Sequence, residues 1–457
     1  MSNGDPQQQL ATRGTTPWLW FGGGEVPAAD VARRIERAQQ SLRRHGLRPG
    51  EAVAVVMHRH PDSLAALLAI WELDAAALLL APDAPAALSR TLQTHATSRL
   101  TIDRDLTVVA ARDTAAATPA GCVTAAATLI PTSGSSGAPK LVAHQLAQHG
   151  ASAAGAAAFF GLTPRHRWLV PLPLHHVGGL APLFRTLRAG ASLALVEPGA
   201  SLAGTLIAAR PTHVSLVPTQ LVRLLNDRDG SAALAAAEAV LVGGGPLAPA
   251  VRERALGAGV RLIMSYGSTE AASMITAEDD PAAMLNHGCA GRALPGREVD
   301  VAADGEILVR GASMLVGYVE SPGRLREGCN ADGWFATRDV GRLDPDGRLF
   351  VLGRKDAMFV SGGENIHPEE IEAALLTHPD LTEAVVVSIP DAEFGASPVA
   401  FVRGGDREAP TPEALRRHLA DQLPRFKVPK RFLWLDAEEA LKPDRQALQQ
   451  RAAATSG

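Results

Sequence analysis

Apolar strands and amphipathic helices alternate along this chain from residue 28 to residue 265, and this alternation limits the possible fold more than any other feature. Apolar residues within 28–46 are spaced three or four apart, as on one face of a helix, and the apolar strand 52–56 follows. The pattern predicts an α/β protein with buried, largely parallel sheets. Further strands are predicted at 75–80, 168–171, 192–196, 212–217, 239–242 and 261–265, and helices at 62–72, after Gly178 and around Val222.

Short strands punctuated by turns replace this alternation after about residue 295. The Asp-Gly pairs at 304–305 and 346–347 are typical of β-hairpin turns. A compact tail begins near Asp356. It is predicted to contain a helix at 368–376, strands at 384–389 and 399–402, and a helix at 412–423.

Composition excludes several classes of protein. The 457 residues include 44 Lys and Arg against 48 Asp and Glu, without a long basic block, which argues against a protein that coats nucleic acid. Cys122, Cys289 and Cys329 have no paired metal-ligand spacing and are too few for a disulfide scaffold. We therefore expect a multidomain protein in a reducing, cytoplasmic setting.

No membrane span is predicted. The most apolar run, 64–82, is long enough to consider, but Glu72 and Asp74 interrupt it and either would be costly in lipid. We interpret this run as a buried helix followed by a core strand. The polar N-terminus lacks the basic start and apolar stretch of a secretory signal.

A loop rich in glycine and serine joins a short strand to a lysine in Leu129-Ile-Pro-Thr-Ser-Gly-Ser-Ser-Gly-Ala-Pro-Lys140. Glycines allow close backbone approach, hydroxyls and amides donate to phosphate oxygens, and Lys140 can neutralise negative charge. The spacing does not fit a Walker loop, which has four residues between its glycines and ends in Lys-Ser/Thr. Phosphate binding is the favoured interpretation, and a solvated turn is the alternative.

Two further segments contain residues suited to a nucleotide. Ser265-Tyr-Gly-Ser-Thr-Glu270 offers an aromatic ring for adenine, a flexible glycine, hydroxyls and a carboxylate for Mg²⁺. Asp339 can accept hydrogen bonds from both hydroxyls of a ribose, and Arg354 can reach ribose or phosphate with a forked donor. The run at 243–246, Gly-Gly-Gly-Pro, is by itself more typical of a turn.

These motifs, in this order, resemble those of the adenylate-forming enzymes, the superfamily of acyl-CoA ligases, nonribosomal-peptide adenylation domains and luciferases. The resemblance covers nearly the whole chain from about Arg34, and departs at Ser136, where many members have Thr, and at Arg338, where glycine is common. It implies an α/β fold: a large N-terminal AMP-binding domain (1–355) of layered sheets with a β-barrel-like subdomain, and a small mobile α+β C-terminal domain (356–457).

The resemblance also implies roles for single residues. Lys140, Thr269 and Glu270 would act in adenylation, with Thr269 at the α-phosphate and Glu270 as a magnesium ligand. Tyr266 would lie against adenine, and the glycine run containing Gly244 would pass the adenine and acyl pocket. The implied nucleotide-binding residues are Thr132, Ser133, Gly134, Ser135, Ser136, Gly137, Gly244, Tyr266, Gly267, Asp339 and Arg354.

The tail carries three more implied roles. Lys442 matches the catalytic lysine that contacts the carboxylate and the α-phosphate, although Leu441 replaces the usual glycine before it. Asp356 matches the hinge between the two domains. The Gly362-Gly363 loop would border the path of pantetheine, so CoA is the implied co-substrate beside ATP and Mg²⁺.

His176 matches the histidine of the family's acyl pocket, and His175 occupies the position of the aromatic residue that usually precedes it. A metal-binding histidine pair is the competing interpretation. We disfavour it because adjacent side chains diverge on a regular backbone and no cysteine or acidic ligand follows at short spacing.

The chain is most similar to a short branch of acyl-CoA ligases whose substrate is an aryl dicarboxylate. Such a substrate requires a cation for the carboxylate that is not activated, and Arg223 is the candidate, with Ser313 as a second pocket residue. An exposed helix face is the alternative for Arg223. Three other functions stay open: a ligase for another aryl or acyl acid, an enzyme that loads a carrier protein, and a non-enzymatic binding protein. Homo-oligomerisation is also open.

Overall fold

The computed structural model describes residues 17–110, 126–132, 140–286, 289–321, 324–355, 357–362, 364–391, 393–404, 410–420, 422–435 and 444–454. The helices within these ranges are α1 (Ala28–Arg44), α2 (Pro61–Glu72), α3 (Ala86–His95), α4 (Leu146–Phe160), α5 (Val177–Ala189), α6 (Leu202–Ala209), α7 (Pro218–Asn226), α8 (Arg228–Ala236), α9 (Pro249–Gly257), α10 (Pro281–Met284), α11 (Pro368–Leu375), α12 (Pro412–Ala420) and α13 (Arg445–Ala454). Each predicted helix is present, with ends shifted by a few residues.

The strands alternate with these helices in the first half of the chain and follow one another from residue 289 to residue 366. They are β1 (Pro17–Phe21), β2 (Gly24–Pro27), β3 (Ala52–Val56), β4 (Ala76–Leu80), β5 (Leu100–Ile102), β6 (Val108–Ala110), β7 (Thr128–Thr132), β8 (Lys140–His144), β9 (Arg167–Val170), β10 (Ser192–Leu195), β11 (His213–Leu216), β12 (Ala239–Val242), β13 (Leu262–Ser268), β14 (Ser273–Glu278), β15 (Cys289–Ala293), β16 (Arg297–Val301), β17 (Glu306–Gly311), β18 (Gly317–Ser321), β19 (Arg324–Arg326), β20 (Phe335–Leu343), β21 (Leu349–Arg354), β22 (Phe359–Ser361), β23 (Glu364–Ile366), β24 (Leu381–Asp391), β25 (Gly395–Gly404) and β26 (Arg431–Trp434).

The first sheet has thirteen strands in the order β16-β17-β20-β21-β15-β14-β13-β12-β11-β9-β10-β1-β2. The run from β1 to β13 is parallel, as the sequence predicts, because helices connect its strands. The rest is antiparallel, so the sheet is mixed rather than largely parallel. Both Asp-Gly hairpins are confirmed, and they lie where the β-barrel-like subdomain is predicted. The four strands of these two hairpins belong to the first sheet.

The second sheet has eight strands in the order β19-β18-β8-β7-β4-β3-β5-β6. Its central strands β3, β4, β5 and β7 pair in parallel, and β7 pairs antiparallel with β8. Thr132 and Lys140 are partners in that last pair. The two ends of the predicted phosphate loop therefore lie side by side, and its residues 133–139 lie outside the described ranges.

Helix α2 packs in the core, as predicted for the apolar run 64–82. Its residues 61–71 are all buried, and they contact α1, β1 and the second sheet in one apolar cluster. Burial of each leucine side chain stabilises the fold by about 2 kcal/mol. Within the described ranges every helix is too short or too polar to span a bilayer.

The C-terminal tail forms a sheet of three strands, β24-β25-β26, with α11 and α13 packed against β24. The guanidinium of Arg445 at the start of α13 pairs with the buried carboxylate of Glu372 at 2.8 Å and donates to the carbonyl of Val386. This contact fixes the start of α13 to α11 and β24. Burial raises the pKa of Glu372, and Arg445 opposes that shift.

Candidate active site

Tyr266, Asp339 and Arg354 meet through their side chains, although β14 and β15 separate β13 from β20 and β21 in the first sheet. The Tyr266 hydroxyl on β13 donates to Asp339 Oδ2 at 2.5 Å, and Arg354 Nη1 donates to Asp339 Oδ1 at 3.1 Å. The last contact follows from strand register, since Asp339 on β20 and Arg354 on β21 are paired. Burial, and then the Asp339 carboxylate, raise the pKa of Tyr266 well above its ordinary value, so its hydroxyl remains a donor.

Glu270 lies just beyond β13, and both its main chain and its carboxylate are fixed. Its carbonyl accepts a hydrogen bond from Leu315 N at 2.7 Å, and the His144 ring nitrogen Nε2 lies 3.3 Å from the same oxygen. Its Oε1 accepts from the hydroxyl of Tyr318 at 3.0 Å. Burial, and then the Glu270 carboxylate, raise the pKa of Tyr318, so Tyr318 is the donor.

Lys140 is the first residue of β8, and its ammonium group is 5.8 Å from the centre of the Tyr318 ring, whose hydroxyl bonds Glu270. The structure therefore places Lys140 beside Thr132, its partner on β7, and links it to Glu270 through Tyr318. Ser133, Gly134, Ser135, Ser136 and Gly137 lie outside the described residues, and their predicted role stays a prediction.

Two glycines of the predicted site have positions that other residues would not tolerate. A Cβ at Gly267 would lie 2.2 Å from the Ser273 carbonyl oxygen, so close packing of β13 on β14 requires glycine. Gly244 has φ +81°, in the left-handed region that favours glycine, and it packs against Val217 at the start of α7. The run 243–245 is thus a turn, and it borders the end of β13.

The two histidines at the start of α5 do not diverge, and that prediction is wrong. The rings of His175 and His176 have centroids 4.2 Å apart because the backbone turns here instead of continuing a strand. Burial, and then His176, lower the pKa of His175 to about 4. The described residues contain no group of three or more His, Cys, Asp or Glu that could bind a metal.

A pair of buried arginines, Arg185 and Arg297, was missed by the sequence reasoning. Arg185 on α5 is 2% exposed, donates to Ser273 Oγ at 3.0 Å and lies over the Trp168 ring at 4.8 Å. Arg297 on β16 is 6% exposed and donates to Ser152 Oγ at 2.9 Å. The signal that could have revealed Arg185 is a charge within the apolar face of a helix.

This arginine pair has no carboxylate partner among the described residues, and the Nε atom of each guanidinium has no hydrogen bond. Burial, and then the charge of Arg297, lower the pKa of Arg185. Ser273, the partner of Arg185, is paired with Ser268 of β13, so the arginine pair adjoins the Tyr266–Glu270 segment. Buried unpaired cations are costly unless an anion joins them.

The two predicted substrate residues differ in environment. Ser313 is 1% exposed and its Oγ has no hydrogen-bond partner, and Gly311, two residues earlier, is paired with Arg297. Arg223 is exposed on α7, opposite the buried Leu221 and Leu224. The structure thus brings Ser313 toward the arginine pair and leaves Arg223 on the outer face of its helix.

The predicted roles of the tail are described only in part. Gly362 has φ +58° and its N–H donates to the Phe394 carbonyl at 2.9 Å, so the loop turns tightly there. Lys442, Asp356 and Gly363 lie outside the described residues.

Arg338 stands where the family commonly has glycine. Its φ is +62°, and this conformation explains the preference for glycine.

The α/β fold and these contacts are typical of a nucleotide-binding enzyme. One carboxylate, Asp339, accepts from a tyrosine and an arginine, and a second, Glu270, accepts from a tyrosine. The AMP-binding enzyme profile matches residues 7–319, and that of the AMP-binding enzyme C-terminal domain matches 370–440. The chain belongs to the AMP-binding enzyme family.

Relatives and solved structures agree with this assignment over the full length. The 2-succinylbenzoate–CoA ligase of Salmonella typhimurium is 36% identical over 434 residues, 92% of this chain and 91% of that protein. A variant of Escherichia coli MenE with bound OSB-AMS is similar at a TM-score of 0.84 and 31% identity, covering 99% of each chain.

The o-succinylbenzoate CoA synthetase (MenE) of Bacillus subtilis is also similar. Its complex with the acyl-adenylate intermediate OSB-AMP has a TM-score of 0.83 and 27% identity, covering 97% of this chain and 98% of that one. Its complex with ATP and a magnesium ion has a TM-score of 0.82 and 27% identity, covering 97% and 99%.

Proposed function

We propose that this chain is an ATP-dependent carboxylate–CoA ligase that converts o-succinylbenzoate, ATP and CoA into o-succinylbenzoyl-CoA, AMP and pyrophosphate. The observation that carries the proposal is the segment 266–270, whose Tyr266 bonds Asp339 and whose Glu270 bonds Tyr318, in a chain similar to 2-succinylbenzoate–CoA ligases over nine tenths of its length. Menaquinone biosynthesis is the pathway that this substrate implies.

The nucleotide half of the site is Tyr266, Asp339, Arg354, Glu270 and Lys140. Asp339 has the acceptors for both ribose hydroxyls, and Arg354 and Tyr266 fix its carboxylate. The Tyr266 ring lies against adenine, by family resemblance. Thr269 and the loop 132–137 contact phosphate, by family resemblance.

Glu270 fits a magnesium ion that ATP brings with it. One carboxylate fixed by Tyr318 matches the preference of Mg²⁺ for one or two carboxylates together with substrate phosphates. When bound, the ion offsets phosphate charge. Lys140 adds a positive charge at the same end of the site.

The acyl half of the site is the arginine pair with Ser313 and His176. A dicarboxylate keeps one negative charge after the other carboxylate is activated, and the unpaired Arg185 and Arg297 can balance it. Arg223, predicted from sequence, stays a second candidate for that contact.

The reaction needs two half-reactions because a free carboxylate resists attack by a thiol. The carboxylate first attacks the α-phosphate and expels pyrophosphate, with Lys442 and Lys140 offsetting the added charge. The tail then turns about Asp356, which removes Lys442, and the CoA thiol attacks the acyl-adenylate past Gly362 and Gly363. A boundary near 355 agrees with the gap between the two matched profiles.

The decisive assay follows CoA consumption with ATP, Mg²⁺ and a panel of acids that includes o-succinylbenzoate, benzoate and fatty acids. We expect o-succinylbenzoate to be the preferred acid, with AMP formed in equal amount. Preference for benzoate or a fatty acid would select the ligase for another acid. Pyrophosphate exchange without CoA turnover would select loading of a carrier protein.

Lys442→Ala separates the half-reactions. It should suppress adenylate formation by on the order of 100-fold, because a charged contact at the transition state is lost, while CoA attack on supplied acyl-adenylate persists. Equal loss of both half-reactions would refute the role of Lys442.

The cysteine pattern supports a cytoplasmic location.

A further inference from the structure

Both tyrosines of the chain donate a hydrogen bond to a carboxylate of the candidate site. The sequence contains two tyrosines. Tyr266 donates to Asp339, and Tyr318 donates to Glu270. Tyr266 belongs to the nucleotide half of the site, whereas Tyr318 has no role in the proposed function.

Strand pairing fixes Tyr318 beside Glu270. Tyr318 on β18 is paired with Val142 on β8, two residues from Lys140. The segment before β18 also bonds Glu270 directly, since Leu315 N donates to its carbonyl. Main chain and carboxylate of Glu270 are therefore held by one short segment, 315–318.

Two cations lie near the face of the Tyr318 ring. The Lys140 ammonium is 5.8 Å and the Arg326 guanidinium 4.7 Å from its centre. Tyr318 is 8% exposed, so water competes little for its hydroxyl. Cations over the ring and a carboxylate at the hydroxyl restrict the side chain to one orientation.

We propose that Tyr318 is a positioning residue that orients the Glu270 carboxylate toward the magnesium ion of ATP. Its hydroxyl donates to Oε1, and Glu270 would hold the ion with its other oxygen. Mg²⁺ is sensitive to the orientation of its ligands because it demands near-octahedral geometry. Residues that orient metal ligands in this way typically change metal affinity 10–100-fold when they are replaced. The proposal rests on the proposed function.

Calorimetric titration with ATP tests this role without any turnover. The affinity is measured in Mg²⁺ and again in EDTA, for the wild type and for Tyr318→Phe, which keeps the ring and its cation contacts. We expect the gain in ATP affinity due to Mg²⁺ to shrink about tenfold in Tyr318→Phe, with the affinity in EDTA unchanged. A gain equal to that of the wild type would overturn the proposal.

Two controls make the result specific. Glu270→Gln should lose the same gain in ATP affinity due to Mg²⁺. Adding Tyr318→Phe to Glu270→Gln should not reduce this gain further, because the hydroxyl acts through that carboxylate. Additive losses, or an equal loss of affinity in Mg²⁺ and EDTA, would overturn the role. Tyr266→Phe should weaken ATP binding both in Mg²⁺ and in EDTA. A wild type that fails to bind ATP would instead refute the proposed function.

Discussion

The two halves of the candidate site differ in how their charges are balanced. In the nucleotide half, Asp339 accepts from Arg354 and Tyr266, so its carboxylate is satisfied by the protein itself. In the acyl half, Arg185 and Arg297 are buried without a carboxylate partner among the described residues. The nucleotide half therefore suits a ligand that supplies hydroxyls, and the acyl half suits a ligand that supplies negative charge.

Removing the Asp339 carboxylate should have the largest effect, and on the nucleotide half alone. Asp339→Ala should raise KM for ATP about 1000-fold, because two hydrogen bonds to a charged group are lost at about 2 kcal/mol each. The order of preference among acids should stay that of the wild type. Initial rates against ATP concentration measure this, and an unchanged KM would remove Asp339 from ribose binding.

Removing the Arg185 charge should act in opposite directions on activity and stability. Arg185→Met should lower kcat/KM for o-succinylbenzoate about 100-fold, since a charged contact to substrate is lost. It should also raise the melting temperature by about 3 °C, because an apolar side chain replaces a buried unpaired charge. Thermal unfolding and initial rates check this pair of results. A lower melting temperature would mean that the guanidinium is stabilised by the protein alone.

Acid should destabilise the region around Arg185 through His213. Burial, and then His166, lower the pKa of His213 to about 4, with Arg185 acting in the same direction and Glu238 against it. Because the folded pKa is below the unfolded value of about 6.5, the unfolded state gains a proton first as pH falls through that interval, and stability falls with it. We expect about 2 kcal/mol to be lost between pH 7 and pH 5.

His213→Gln isolates this contribution from that of the carboxylates. Denaturant unfolding at pH 7 and pH 5 should show a smaller loss in the variant than in the wild type. Identical losses would mean that His213 is protonated alike in both states.

The exposed Arg223 should matter least. Arg223→Ala should lower kcat/KM for o-succinylbenzoate about tenfold, because an exposed charge is screened by water. Competition between acids in one assay measures the ratio. A larger loss than in Arg185→Met would return the principal contact to Arg223.

Much of the fold, and the segments proposed to bind the nucleotide, could be recognised from the sequence because they are local patterns. Alternating strands and helices, the Asp-Gly hairpins and the Tyr266–Glu270 segment are all readable along the chain. The arginine pair could not be predicted, since Arg185 and Arg297 are separated by more than one hundred residues and meet through packing of α5 near β16. The His175–His176 geometry failed for a related reason, because the turn before α5 breaks the regular backbone on which the prediction depended.

The role of Arg185 is best tested with two acids: o-succinylbenzoate and its analogue that lacks the carboxylate that is not activated. The quantity compared is the ratio of kcat/KM for the first acid to kcat/KM for the second. It is measured in the wild type and in Arg185→Met. We predict a ratio on the order of 100 in the wild type that falls close to one in the variant, because the unpaired guanidinium selects the second negative charge. A ratio that is the same in both proteins would contradict the account.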